Sequence, residues 1–221
     1  ISTSRLTLGI DEAGRGPILG PLVMAGVCVC SSRAAALTRA GVLDSKAFGS
    51  GDAAHSRRSE LARRITEMAE SIVVIVIEPQ EIDRRVHRHE LNVLEREVAS
   101  DIIERSATAD RIVADGERLF SPLRDRYPNL RACDRGEAVH VAVAAASVIA
   151  KVRRDDVFAG ITQGYRAEFG AISGGGYANE QTLRFLRSYI ERYRCLPPEA
   201  RRTWRWARLE EYLPRDAPKR R

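Results

Sequence analysis

Apolar positions recur with two clear periods along the chain. Leu6, Leu8 and Ile10 alternate with Thr7, Gly9 and Asp11, the period-two signature of a strand with one buried face. A loop follows with glycines at 14, 16 and 20 and prolines at 17 and 21, and then a second apolar run, Leu22–Cys30. Ser56–Glu70 places Leu61, Ala62, Ile65, Met68 and Ala69 on one face of a helix. Ile72–Ile77 is a continuous β-branched run, which predicts a buried central or near-central strand. Leu91, Leu94, Val98 and Ile102 mark another helical stripe, and Arg111–Ala114 predicts a short strand ending at Asp115-Gly116. Ala138–Phe158, free of Gly and Pro, predicts a buried helix. Asn179 is placed to cap a helix with the stripe Leu183, Leu186, Ile190 and Tyr193. Leu196-Pro197-Pro198 then breaks the chain before a last helix, Glu199–Tyr212, carrying Trp204 and Trp206. The pattern is that of an α/β domain with a C-terminal helical extension.

Composition narrows the classes. The 221 residues suffice for one large domain with a core, and there is no run of eighteen apolar residues to predict a membrane span. Ile1–Arg5 runs directly into the first strand and does not resemble a signal peptide; the absence of an initiating Met suggests a trimmed chain. Cys28, Cys30, Cys133 and Cys195 form no metal-ligand spacing. Cys28 and Cys30, two apart on a strand, share a face and read as reduced apolar fillers of a cytoplasmic protein. The formal net charge of +6 makes an acidic partner such as nucleic acid plausible, although Pro214–Arg221 alone holds four cations and one acid.

The candidate chemistry lies at strand ends. Asp11 and Glu12 close the first strand, Asp115 closes a later one, and a further acid, Asp134 or Glu137, precedes the buried helix. Magnesium and manganese take hard oxygen ligands, and a pair of such ions can activate water and stabilise a leaving oxygen in phosphodiester hydrolysis. Beside Asp11 and Glu12 lies a glycine-rich loop whose backbone can approach a phosphate, with Arg15 as its only cation. A plain connection with solvated acids is the competing reading of the same residues.

GIDEAGRGPILGP (9–21), DSK (44–46), ELN (90–92), ADG (114–116), AAASVIAKVRRD (144–155) and GGGY (174–177) occur in the order and rough spacing of ribonuclease HII, the type 2 ribonucleases H. Pro197-Pro198…Trp204 resembles the archaeal members. The resemblance runs from about residue 6 to about residue 206. It implies a ribonuclease H-like fold, a mixed five-stranded sheet with flanking helices, over 1–194, with a helical extension and basic tail over 195–221. It also implies a probe-able activity: endonucleolytic cleavage of RNA–DNA hybrids and of duplex DNA at embedded ribonucleotides, with Mg2+ or Mn2+ in a two-metal site, by a monomer.

Carried over by position, the resemblance makes Asp11, Glu12 and Asp115 metal-binding acids. It makes Gly14, Arg15 and Gly16 the loop that contacts the ribose 2′-hydroxyl and adjoining phosphate through its backbone. Tyr177 falls at the ribonucleotide-to-DNA junction, and Lys46, Ser147 and Lys151 fall near the nucleic-acid backbone. The family's fourth acid, an aspartate usually within Lys-Gly-Asp, stands ten residues before the serine of the AAAS motif. Counting back from Ser147 selects Glu137, within Arg135-Gly136-Glu137, over Asp134. Ala178 replaces the family's proline after the tyrosine. A divergent member that binds hybrids but cuts poorly is therefore an alternative. A phosphotransferase of the actin-like kind is disfavoured, since it needs two such domains.

Overall fold

The computed structural model describes residues 5–43, 48–49 and 51–204, apart from the side chain of Val139. Lys46, Trp206, the span 205–212 and the basic tail lie outside the described residues. In chain order the elements are β1 (Leu6–Ala13), β2 (Leu22–Cys30), α1 (Ser31–Arg39), α2 (Asp52–Met68), β3 (Ser71–Ile77), α3 (Pro79–His87), α4 (Leu91–Arg105), β4 (Arg111–Asp115), α5 (Glu117–Phe120), β5 (Leu130–Cys133), α6 (Gly136–Val139), α7 (Val141–Phe169) and α8 (Glu180–Tyr193). The five strands form one mixed sheet in the order β3-β2-β1-β4-β5. β1 is antiparallel to β2 from Leu6↔Cys30 to Ala13↔Val23, and parallel to β4 from Thr7↔Arg111 to Ile10↔Ala114.

Both faces of the sheet are covered, and β2 shows it residue by residue. Leu22, Met24 and Cys28 enter one core with Leu94, Ala99 and Ile102 of α4. Val23, Ala25, Val27 and Val29 enter the other with Leu61 and Ile65 of α2 and the alanines of α7. A strand buried on both sides reads as an unbroken apolar run. The same rule explains a correction: β3 is an edge strand, not a central one. Val73 and Ile77 pack on one side and Ile72, Val74 and Val76 on the other, so its β-branched run reports covered faces and not its place in the hydrogen-bonding order.

α7 lies close against β1. A Cβ on Gly9 would stand 2.1 Å from the carbonyl carbon of Ala142, so only glycine fits beneath that turn of helix. The long helix differs from its sequence reading. His140, with extended backbone (φ −133°, ψ 114°), separates α6 from α7, and α7 continues past Gly160 and Gly164 to Phe169. A Cβ at either of those glycines would meet nothing within 4 Å, so they carry no packing that would end the helix. α1, α3 and β5 have no clear signature in the sequence: α3 offers only Ile82 and Val86 as an apolar stripe, and β5 is four residues with Arg131 among them.

A third core joins the loop after β1 to the C-terminal part. Ile18 and Leu19 pack with Phe158 of α7, Leu183, Phe185 and Leu186 of α8, and Ala200. Asn179 caps α8 as expected, its side chain accepting the Thr182 amide at 3.1 Å. Glu199–Trp204 is turn and bridge, not the start of a helix, and Leu19 pairs with Ala200 there. Segment 199–204 instead wraps the loop, because its backbone bonds go to it: the Gly20 amide to Glu199 (2.8 Å) and the Arg201 amide to Ile18 (2.9 Å).

Candidate active site

Parallel pairing of β1 with β4 brings Asp11 and Asp115 side by side at the carboxyl ends of adjacent strands, the edge at which open α/β sheets bind ligands. Glu137 reaches them from α6. Oxygens of Asp11, Asp115 and Glu137 lie within 4.8 Å of one another, with Asp11 and Glu137 buried. Burial pushes the Asp11 carboxyl up to about 7; a hydrogen bond with Ser147 and the Glu12 amide (2.8 Å) oppose the rise, and Asp115 and Glu137 add to it. Three carboxylates this close oppose one another's ionisation, and a hard divalent cation relieves that opposition. The donor set fits magnesium or manganese: all oxygen, no thiolate and no imidazole in the group.

The turn from β5 into α6 aims Glu137. Arg135 adopts left-handed backbone (φ 57°), and the Gly136 amide donates to Asp115 Oδ1 at 3.0 Å. Asp134 is turned elsewhere: its Oδ1 accepts the Glu117 amide at 2.8 Å, at the start of α5, and it is exposed. Glu12 lies outside the three-acid group. Neighbouring strand residues project to opposite faces, and Glu12 shares the α4 face with Glu95. Burial pushes the Glu12 carboxyl up to about 8, with Asp11, Glu95 and Asp115 adding and Arg15 opposing.

The glycine loop crosses beside these acids. The Arg15 side chain, though half-exposed, is held at its head group. Its Nε donates to Glu95 Oε1 at 2.8 Å and its Nη2 to Asn92 Oδ1 at 2.8 Å, pinning it to α4. Arg15 and Gly16 are both exposed, and at Gly16 that exposed surface is backbone. Tyr177 stands next to it: a Cβ on Gly16 would be 3.6 Å from the Tyr177 ring, and Tyr177 is 54% exposed. Gly174, Gly175 and Gly176 all have positive φ, and a Cβ on Gly176 would lie 2.2 Å from the Leu19 carbonyl oxygen, so the turn bearing Tyr177 is pressed onto the loop. Lys151, one turn of α7 beyond Ser147, pairs with Asp155.

Two residues at this site escaped the sequence reading. Arg154 and Arg201 are fully buried; Arg201 donates to carbonyls of the 14–20 loop, and Arg154 to Leu19 of that loop and Gly175 of the second turn. Both sit in arginine pairs, Arg153-Arg154 and Arg201-Arg202, where nothing in the sequence separates a buried guanidinium from a solvated one.

The chain matches known proteins over most of its length. Residues 8–207 match the family profile described as ribonuclease HII. The chain is 37% identical over 205 residues to ribonuclease HII of Methanothermobacter thermautotrophicus, covering 89% of this chain and 95% of that one. It is 34% identical over 212 residues to ribonuclease HII of Cenarchaeum symbiosum, covering 93% and 98%. Among solved structures, ribonuclease H2 from Pyrococcus horikoshii superposes with a TM-score of 0.81 at 28% identity, covering 94% of this chain and 98% of that one.

Proposed function

This chain belongs to the ribonuclease HII family of type 2 ribonuclease H endonucleases, and from that premise we propose that it hydrolyses the phosphodiester on the 5′ side of a ribonucleotide, in RNA–DNA hybrids and in duplex DNA with embedded ribonucleotides. A water oxygen attacks phosphorus, the bond to the upstream 3′-oxygen breaks, and that oxygen takes a proton, leaving a 3′-hydroxyl and a 5′-phosphate. The observation that carries the reading is the oxygen-only group Asp11, Asp115 and Glu137, set beside an exposed glycine-loop backbone. Two divalent cations held by these acids and Glu12, magnesium or manganese, would supply the positive charge that activates the water and stabilises the leaving oxygen.

The protein's own groups orient the substrate. Ser147 fixes the Asp11 carboxylate, and the Gly14–Gly16 backbone engages the phosphate and the 2′-hydroxyl, the group that separates RNA from DNA. Tyr177 offers a ring and a phenol to the sugar at the junction, while Lys46 and Lys151 contribute charge along the phosphates. Asp11→Asn tests the assignment. Cleavage of a duplex with one embedded ribonucleotide should fall by about a thousandfold or more while binding persists, as expected when the charge that stabilises the transition state is lost. Near wild-type turnover by this variant would remove Asp11 from the catalytic group.

Glu137 favours a second reading, a hybrid-binding protein that cuts weakly, because its side chain is one methylene longer than the family's aspartate. The same assay decides between the two: binding without metal-dependent cutting by the wild-type protein would select the second.

A further inference from the structure

We propose that Arg201 is a positioning residue for ribonucleotide recognition: it holds the Gly14–Gly16 backbone so that two adjacent amides face the substrate. The inference rests on the loop's role in the function proposed above. Arg201 is fully buried, and its guanidinium fork is spent on one stretch of backbone. Nη2 donates to the Gly14 carbonyl at 2.5 Å, Nη1 to the Arg15 carbonyl at 2.9 Å and Nε to the Gly20 carbonyl at 3.0 Å.

A trans peptide is planar, with its C=O and N–H pointing in opposite directions. Drawing the Gly14 and Arg15 carbonyls inward therefore turns the Arg15 and Gly16 amides outward. Neither amide donates to a protein acceptor among the described residues, and both residues are exposed. Two successive outward N–H groups make a concavity that suits an anion or a hydroxyl oxygen. A cation bonded to the carbonyl side of each peptide also polarises its N–H, which strengthens it as a donor.

The placement is maintained against an electrostatic cost. Burial pushes the Arg201 guanidinium down to about 9, and the nearby Arg154 charge acts in the same direction. The ring of Trp204 lies 5.0 Å from the guanidinium carbon and shelters it. Asp83 of α3 fixes the segment from the far side, accepting the amides of Arg202 (2.8 Å) and Thr203 (2.9 Å) and the Thr203 hydroxyl. Arg154 ties this loop to the neighbouring turn, donating to the Leu19 and Gly175 carbonyls at 3.2 and 2.6 Å. Lysine could not replace Arg201, since an ammonium has no planar fork to hold two carbonyls in one plane.

The test measures binding in an Asp11→Asn background, which prevents cutting, with two probes: a DNA duplex containing one ribonucleotide and the same duplex all in DNA. Arg201→Lys should reduce the preference for the ribonucleotide duplex by about tenfold, while Arg201→Lys with Asp11 intact keeps wild-type manganese affinity in calorimetry. Asp83→Ala leaves Arg201 in place but loosens its segment, and should reduce the preference in the same direction by about threefold. A folded Arg201→Lys protein of lower melting temperature but wild-type preference would overturn the inference, leaving Arg201 a structural residue only. If Arg201→Lys does not fold, a wild-type preference in Asp83→Ala overturns it equally. A wild-type protein with no ribonucleotide preference would refute the parent reading, and this inference with it.

Discussion

Asp11 and Glu12 make the metal-free protein sensitive to pH in a direction set by their burial. The folded-state pKa of Asp11 is raised from 3.8 to about 7 and that of Glu12 from 4.5 to about 8. Between the two values the folded chain holds protons that the unfolded chain has released, so stability falls as pH rises. The contribution is complete below the unfolded values and is lost as pH passes through the folded ones. In the presence of a chelator the melting temperature should therefore drop by several degrees between about pH 5 and about pH 8, at roughly 2–4 °C per kcal/mol for a chain of this size. Asp11→Asn should flatten the drop, and saturating magnesium or manganese should cancel it by favouring the ionised carboxylates. A wild-type melting temperature that rises over this range without metal would contradict the burial assigned to both acids.

At the scale of elements, the contact of α7 with β1 sets the site. Ser147 sits on α7, Glu137 on α6 immediately before it, and Asp11 on β1, so the gap between helix and strand fixes their separation. That gap depends on Gly9, where an added Cβ would strike Ala142 backbone at 2.1 Å. Backbone cannot rotate away as a flexible side chain does, so Gly9→Ala should destabilise by about 3 kcal/mol, the upper end of ordinary overpacking. Calorimetry on the folded variant should also show weaker manganese binding, because the helix carrying Ser147 is displaced. Unchanged stability in a denaturant titration would mean that α7 yields at that turn.

Across the whole molecule, part of the positive charge falls in the last eight residues of the sequence. The formal net charge is +6, and Pro214–Arg221 carries four of the cations. Binding to nucleic acid releases counterions, so affinity should fall steeply with salt. Removing residues 214–221 should weaken binding to all-DNA and ribonucleotide-containing duplexes alike and flatten the plot of log affinity against log salt, since phosphate contacts carry no sequence or sugar readout. A loss confined to the ribonucleotide duplex would show that the tail takes part in recognition.

Elements whose side chains repeat with a period can be read from the residues alone. β1, β2, α2, α4 and α8 were legible from alternation, helical stripes and the Asn179 cap, because each buries a face whose spacing the chain must match. The motifs around Asp11, Asp115 and Ser147 identified the family, and a count of ten residues from Ser147 selected Glu137. The remaining features emerge once the chain is packed. The place of β3 at the sheet edge depends on hydrogen-bonding order, which a run of β-branched residues does not encode. The separation of Glu12 from the three-acid group follows from strand alternation once the sheet has covered both faces. The division of labour among arginines was hidden most completely. Arg15 is pinned to Glu95 from a distance of 80 residues, and Arg201 holds the Gly14 carbonyl from 187. A guanidinium's role is set by the acceptors that surround it, and those acceptors are brought together only by the fold.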